Sequence, residues 1–113
     1  MQVSEVFSSK SIPVGHRITL EGIFVMSCGI GCFVQNMDDL GDKEKSIFIE
    51  HPDLENKLLS CVPAFGGGKI SYCDKAKISG VLNREFSEGF LCKFNGVSDF
   101  IIFRNDAVFN VKL

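Results

Sequence analysis

The stretch MSCGIGCFV, Met26 to Val34, sets Cys28 and Cys32 four positions apart around Gly-Ile-Gly, a spacing that could hold a metal, form a disulfide loop or only turn the chain. Two cysteines on such a knuckle supply half of a tetrahedral zinc site, which needs four ligands. No second pair completes it: Cys61 and Cys73 are separated by eleven residues, Cys92 stands alone, and His16 and His51 are dispersed. Five cysteines are an odd number without the dense spacing of a small secreted scaffold, so reduced thiols are expected. A nucleophilic cysteine needs a neighbouring base and a group that orients the base. Cys73 with His51, or Cys28, can be written as such a centre, but no spacing singles either out, and a small cysteine-dependent enzyme ranks last among the readings. The stretch reads as a hairpin turn flanked by cysteines acting as small buried hydrophobes. No metal and no cofactor is expected.

Two other segments carry suggestive residues. MDDLGDKEK, Met37 to Lys45, groups the carboxylates of Asp38, Asp39 and Asp42 with Lys43, Glu44 and Lys45, a mixture expected of a solvated loop rather than an acid-base pair. Gly66, Gly67, Gly68 and Lys69 lack the spacing and the Ser/Thr of a phosphate-binding P-loop, because Ile70 follows the lysine and the stretch lies between a helix and a strand instead of between a strand and a helix. These glycines read as a loop that can serve as the lip of a binding site.

The bulk composition narrows the classes. A chain of 113 residues with 45% apolar and 23% charged residues buries one modest core, filled chiefly by eleven phenylalanines in the absence of tryptophan, and is read as a single domain, 1–113. The formal charge of -2 provides no positive field to draw the chain to phosphate backbones or anionic lipid. No apolar segment approaches the roughly 20 residues that span a bilayer, and the N-terminus lacks a basic start followed by an apolar run. The expectation is an unprocessed cytoplasmic protein with no membrane partner.

Strand signals dominate the elements that would position any site. In HRITLEGIFVMS, His16 to Ser27, Ile18 and Leu20 alternate with Arg17, Thr19 and Glu21, and beyond Gly22 the residues Ile23 to Met26 are all apolar. A strand that changes from one buried face to two at a glycine predicts a long, bent strand shared between two sheets. CFVQN, Cys32 to Asn36, and SIFIEH, Ser46 to His51, read as the second and third strands. Leu54, Lys57, Leu58 and Ser60 follow helical spacing after Pro52, with Asp53 as N-cap, which predicts one short helix from about Asp53 to Ser60. KAKISGVLN, Lys75 to Asn83, is a fourth strand; Phe90 to Phe94, before Asn95-Gly96, is a further short one; and DFIIFRNDAVFNV reads as two β segments around Arg104-Asn105-Asp106.

This order, with Gly22 in RITLEGIFV and Gly80 in KAKISGVL at the bends of strands one and four, resembles the OB-fold over nearly the whole chain. The resemblance implies a mainly β, five-to-six-stranded, partly open Greek-key barrel with one short helix between strands 3 and 4. It also implies a binding face on strands two and three with adjoining loops, where Phe33 and Phe48 lie and where Asp38, Asp39, Asp42, Lys43, Lys45, Gly67 and Lys69 would form the rim. Single-stranded nucleic acid or an oligosaccharide is the ligand class such a face takes most often. Here the acidic loop opposes a phosphate backbone, so the first expectation is a non-enzymatic module of inhibitor, immunity or adaptor type that docks a basic protein partner.

Overall fold

The computed structural model describes residues 1–8, 15–64, 69–84 and 88–113. The first strand, β1 (Arg17–Ser27), follows the alternation of its sequence up to Leu20 and is buried on both faces at Phe24, Val25 and Met26. A turn at Cys28 and Gly29, both at positive φ (54° and 80°), leads into β2 (Ile30–Val34). That backbone matches the twist of a two-residue hairpin, and it places Cys28 on the exposed tip. Cys28 is therefore part of the turn, not a buried residue flanking it.

After a 3₁₀ turn at Met37–Asp39 come β3 (Ile47–Ile49), a helix at Leu54–Leu59, β4 (Ile70–Asn83), β5 (Cys92–Arg104) and β6 (Ala107–Val111). The whole of β1 pairs antiparallel with β4, while its second half, from Ile23, also pairs with β2. β2 pairs with β3, β3 runs parallel to β5 through Ile47–Cys92, Phe48–Lys93 and Ile49–Phe94, and β5 pairs antiparallel with β4. The ring β1-β2-β3-β5-β4 is thus a closed five-stranded barrel, to which β6 adds a further strand along β5. This architecture is compatible with an OB-like fold. The partly open barrel expected from the sequence is corrected by the parallel β3–β5 ladder, which joins the two ends of the sheet.

Gly22 sits where the sharing of β1 begins. A Cβ there would lie 2.7 Å from Val3 Cγ2 and 2.8 Å from the Val34 carbonyl oxygen, so it is close packing that demands glycine. Gly80 is the counterpart on β4, with the Phe94 ring at 2.8 Å and the Asn95 carbonyl at 2.9 Å from a Cβ.

Three local expectations are corrected. A helix absent from the sequence reading, α1 (Val3–Ser8), buries Val3 and Val6 and packs across β1; Val3, Val6 and Phe7 have the spacing of one helical face. In the second helix, α2 (Leu54–Leu59), Leu54 and Leu58 are buried as their spacing predicts, but Asp53 adopts the left-handed conformation (φ 58°) and its side chain makes no capping bond. Finally, Phe90–Phe94 and the following β segment are not separate strands. β5 continues through Asn95-Gly96 because two bulges absorb the turn signal. Between the Val81–Asn95, Ser79–Ser98 and Lys77–Ile101 pairs, β5 carries one extra residue each time, and Gly96 (φ 58°) and Asp99 (φ 49°) supply the positive φ values. The bulges let β5 leave β3 after Phe94 and meet β6 from Phe100 onward.

Phe24 lies at the centre of the barrel, with ring centroids 5.7 Å from Phe33, 6.5 Å from Tyr72 and 5.0 Å from Phe100. The buried Tyr72 hydroxyl donates to the Val62 carbonyl at 2.7 Å. Asp74 accepts two bonds from Arg104, at 2.9 and 2.7 Å, and Arg104 also donates to the Pro63 carbonyl at 2.6 Å. None of the described helices is long and apolar enough to cross a membrane.

Candidate binding face

Residues opposite one another in a ladder share a face of the sheet. Val25 pairs with Cys73 on β4 and Cys32 on β2, Cys32 with Phe48 on β3, and Phe48 with Lys93 on β5. Their chain neighbours Phe24 and Phe33 fill the interior, so this row runs around the outside of the barrel. Val25 is nevertheless buried. Its cover is the segment from Met37 to Ser46, which folds back over the outer surface of β1 and β2.

That segment is held by its own turns. Leu40 donates to the Met37 carbonyl, Asp42 to Asp39 and Lys45 to Asp42, at 2.9 to 3.1 Å. Asp42 Oδ1 accepts the Glu44 amide at 3.0 Å, and Ser46 Oγ donates to the Asp42 carbonyl at 2.7 Å. At one side the Cys73 thiol meets Met37 Sδ at 3.5 Å. At another, Lys43 Nζ donates to the Glu88 carbonyl at 2.8 Å and lies 5.2 Å from the centroid of Phe90, whose ring stacks on Phe48 at 5.5 Å and 17°. Between segment and sheet remains a groove of about 260 Å³, lined mainly by Val25, Ile30, Cys32, Leu40, Ile70 and Phe90.

The electrostatics of the groove are those of an apolar recess. Burial pushes the Cys32 thiol up to about 11, against the opposing effects of a hydrogen bond with Ser46 and of the Lys43 charge. Burial also raises Cys73, helped by the Asp74 carboxylate, and raises Cys92 against the effect of Arg84. These three thiols remain protonated at neutral pH, whereas attack on an electrophile requires the thiolate. His51, paired on paper with Cys73, lies beyond the end of β3 beside α2, and no hydrogen bond joins the two among the described residues. Its Nε2 is buried without a partner there, and burial lowers its affinity for a proton. No group of three or more His, Cys, Asp or Glu that could hold a metal occurs among the described residues.

The residues expected at the rim separate into distinct roles. Asp38 is exposed, Asp39 lies 3.9 Å from Lys45, Asp42 stabilises its own turn, and Lys43 is committed to Phe90 and Glu88. Lys69 is exposed next to the groove residue Ile70, and its carbonyl accepts the Cys28 amide at 3.3 Å. Gly67, with the rest of 65–68, lies outside the described residues. Phe33 is corrected from the binding face to the core: it is fully buried against Phe24 and Phe100. Phe48 does face outward, but Phe90 covers one side of its ring. Val25, Ile30, Leu40 and Phe90 were missed as site residues. The continuous apolar run after Gly22 was the available signal for Val25, because an apolar Val25 on the outer face requires something to cover it.

Comparison of the chain with known protein families, with curated proteins and with solved structures finds no match in any of the three. The fold and the groove define a small closed β-barrel carrying a covered apolar recess on its outer wall.

Proposed function

We propose that the chain is an OB-like Greek-key barrel acting as a non-enzymatic module that docks a basic protein partner, which inserts an apolar side chain into the groove beneath the Met37–Ser46 segment. The ring order β1-β2-β3-β5-β4 and the position of α2 between β3 and β4 support the OB-like assignment. The observation that carries the functional reading is the use of the aromatic side chains. Stacking of bases requires open aromatic faces, but Phe33 is internal and Phe48 is stacked on Phe90, which leaves an apolar recess rather than a platform. Charge favours the same partner. The covering segment carries Asp38, Asp39, Asp42 and Glu44 against Lys43 and Lys45, and no ion pair among the described residues involves Asp38 or Glu44, so its net charge is acidic. Five free cysteines suit a reducing, cytoplasmic setting.

A basic peptide with one central leucine, titrated into isotopically labelled protein, should shift the amides of Val25, Ile30 and Cys32. Cys32→Phe, which fills the groove, should abolish the shifts. Replacing Asp38, Asp39 and Asp42 together by asparagine should slow association and flatten its salt dependence. A mixed single-stranded oligonucleotide that moves the same amides below about 10 μM near physiological salt, while the peptide moves none, would replace this reading with nucleic-acid binding.

A further inference from the structure

Among the described residues, β6 is an edge strand without the usual protection. Edges are commonly blunted by lysine, proline or a bulge within the strand, and AVFNV contains none of these. Among the described residues, no backbone hydrogen bond ties β6 to any strand but β5. Its outer surface is apolar as well: Val108 is 58% exposed and its cross-strand neighbour Phe103 is 40% exposed.

The direction of the unpaired groups follows from the hairpin. The two-residue turn at Asn105-Asp106 brings Arg104 and Ala107 together as the hydrogen-bonded closing pair. Alternation along an antiparallel ladder then aims the backbone groups of Ala107, Phe109 and Val111 at β5, and those of Val108 and Asn110 away from it. A strand added to this edge must bond to Val108 and Asn110.

From this pattern we infer that the free edge of β6 pairs antiparallel with β6 of a second copy of the chain, about a two-fold axis at Phe109. In that register Val108 faces Asn110 of the second copy and Asn110 faces its Val108. Both are hydrogen-bonded pairs, in agreement with the direction of the free groups. Phe109 meets Phe109 across the axis at a non-hydrogen-bonded position, where side chains approach most closely. The charges favour the same register: Asp106, in the turn at one end of β6, comes near Lys112, just beyond the other end of β6 in the second copy, twice by symmetry. Moving the axis to Val108 sets Asp106 against Asn110, and moving it to Asn110 sets Lys112 against Val108, so either shift loses both opposite-charge pairs. The Phe103–Val108 patches of the two copies then lie side by side on the outer face of one continuous sheet. This surface is separate from the groove under the Met37–Ser46 segment.

Sedimentation equilibrium over a concentration series should show a reversible monomer–dimer equilibrium. Asn110→Pro removes an outward donor without touching the β5 ladder, and should weaken dimerisation at least about tenfold. Lys112→Asp, which sets two acidic pairs against each other, should weaken it as well, and the combined Asp106→Lys, Lys112→Asp swap should restore it. Wild type that stays monomeric to about 1 mM, the range of the weakest associations, would overturn the inference. So would an undiminished dimer in Asn110→Pro, or a charge swap that fails to recover what Lys112→Asp loses.

Discussion

Replacing Gly22 by alanine tests the packing on which the shared first strand depends. The new Cβ would stand 2.7 Å from Val3 Cγ2 and 2.8 Å from the Val34 carbonyl oxygen, against a comfortable carbon–carbon separation of about 3.5–4.0 Å. Neither neighbour can yield easily. Val3 is the fully buried first residue of α1, packed against β1, and Val34 is the ladder partner of Ile23. Overpacking of this kind costs about 1–3 kcal/mol, and a contact on main chain as well as side chain sets the expectation in the upper half of that range. The loss of glycine's freedom in the unfolded chain returns about 0.4–1 kcal/mol, for a net destabilisation of about 2 kcal/mol. At about 4 °C per kcal/mol for a domain of this size, the melting midpoint by far-ultraviolet circular dichroism should fall by about 8 °C. Gly41→Ala is the control: φ is +86° there and nothing lies within 4 Å of a Cβ, so it carries only the conformational cost of about 1 kcal/mol. Gly22→Ala combined with Val3→Ala should be less destabilised than the sum of the two single changes, because the truncated valine no longer meets the new methyl. A Gly22→Ala midpoint within about 2 °C of wild type, or strict additivity with Val3→Ala, would refute the proposed close approach of α1 and β2 to β1 at this residue.

Two further perturbations follow from buried polar groups. The side chains of Asp74 and Arg104 are only 5% and 16% exposed, so Asp74→Ala, which removes the carboxylate facing the guanidinium, should destabilise by about 3–5 kcal/mol, while Asp74→Leu with Arg104→Met should recover most of it by urea denaturation. For Cys32 the folded protein holds the proton up to about pH 11 instead of 9. The unfolded chain therefore loses this proton first, and the associated stability, complete below pH 9, should decline as pH rises from 9 to 11. Cys32→Ala should reduce the slope of stability against pH across that window; an unchanged slope would contradict the burial of the thiol.

Much of the local structure was legible in single segments. The alternation and apolar run of RITLEGIFVMS marked β1 and its two-sided burial, Leu54 and Leu58 marked α2, and the Asn105-Asp106 turn marked the β5–β6 hairpin. These features depend on neighbours a few residues apart, where backbone geometry converts sequence spacing directly into shared faces. α1 was not read, although Val3, Val6 and Phe7 have helical spacing, because its six residues make so short a helix that only its burial against β1 sustains it. What tertiary structure alone decided were relations between distant segments. Period-two alternation separates Phe33 from Cys32 without saying which faces the interior; pairing with Phe24 on β1 and Ile47 on β3 sends Phe33 to the core and leaves Cys32 on the wall of the groove. The Asn95-Gly96 signal became a bulge instead of a turn because β3 and β6 claim opposite ends of the same strand. Closure of the barrel rests on a parallel ladder between Ile47–Ile49 and Cys92–Phe94, strands far apart in the chain. The loop entropy lost in bringing them together is recovered only by burial of the common core, and neither strand carries that balance within its own sequence.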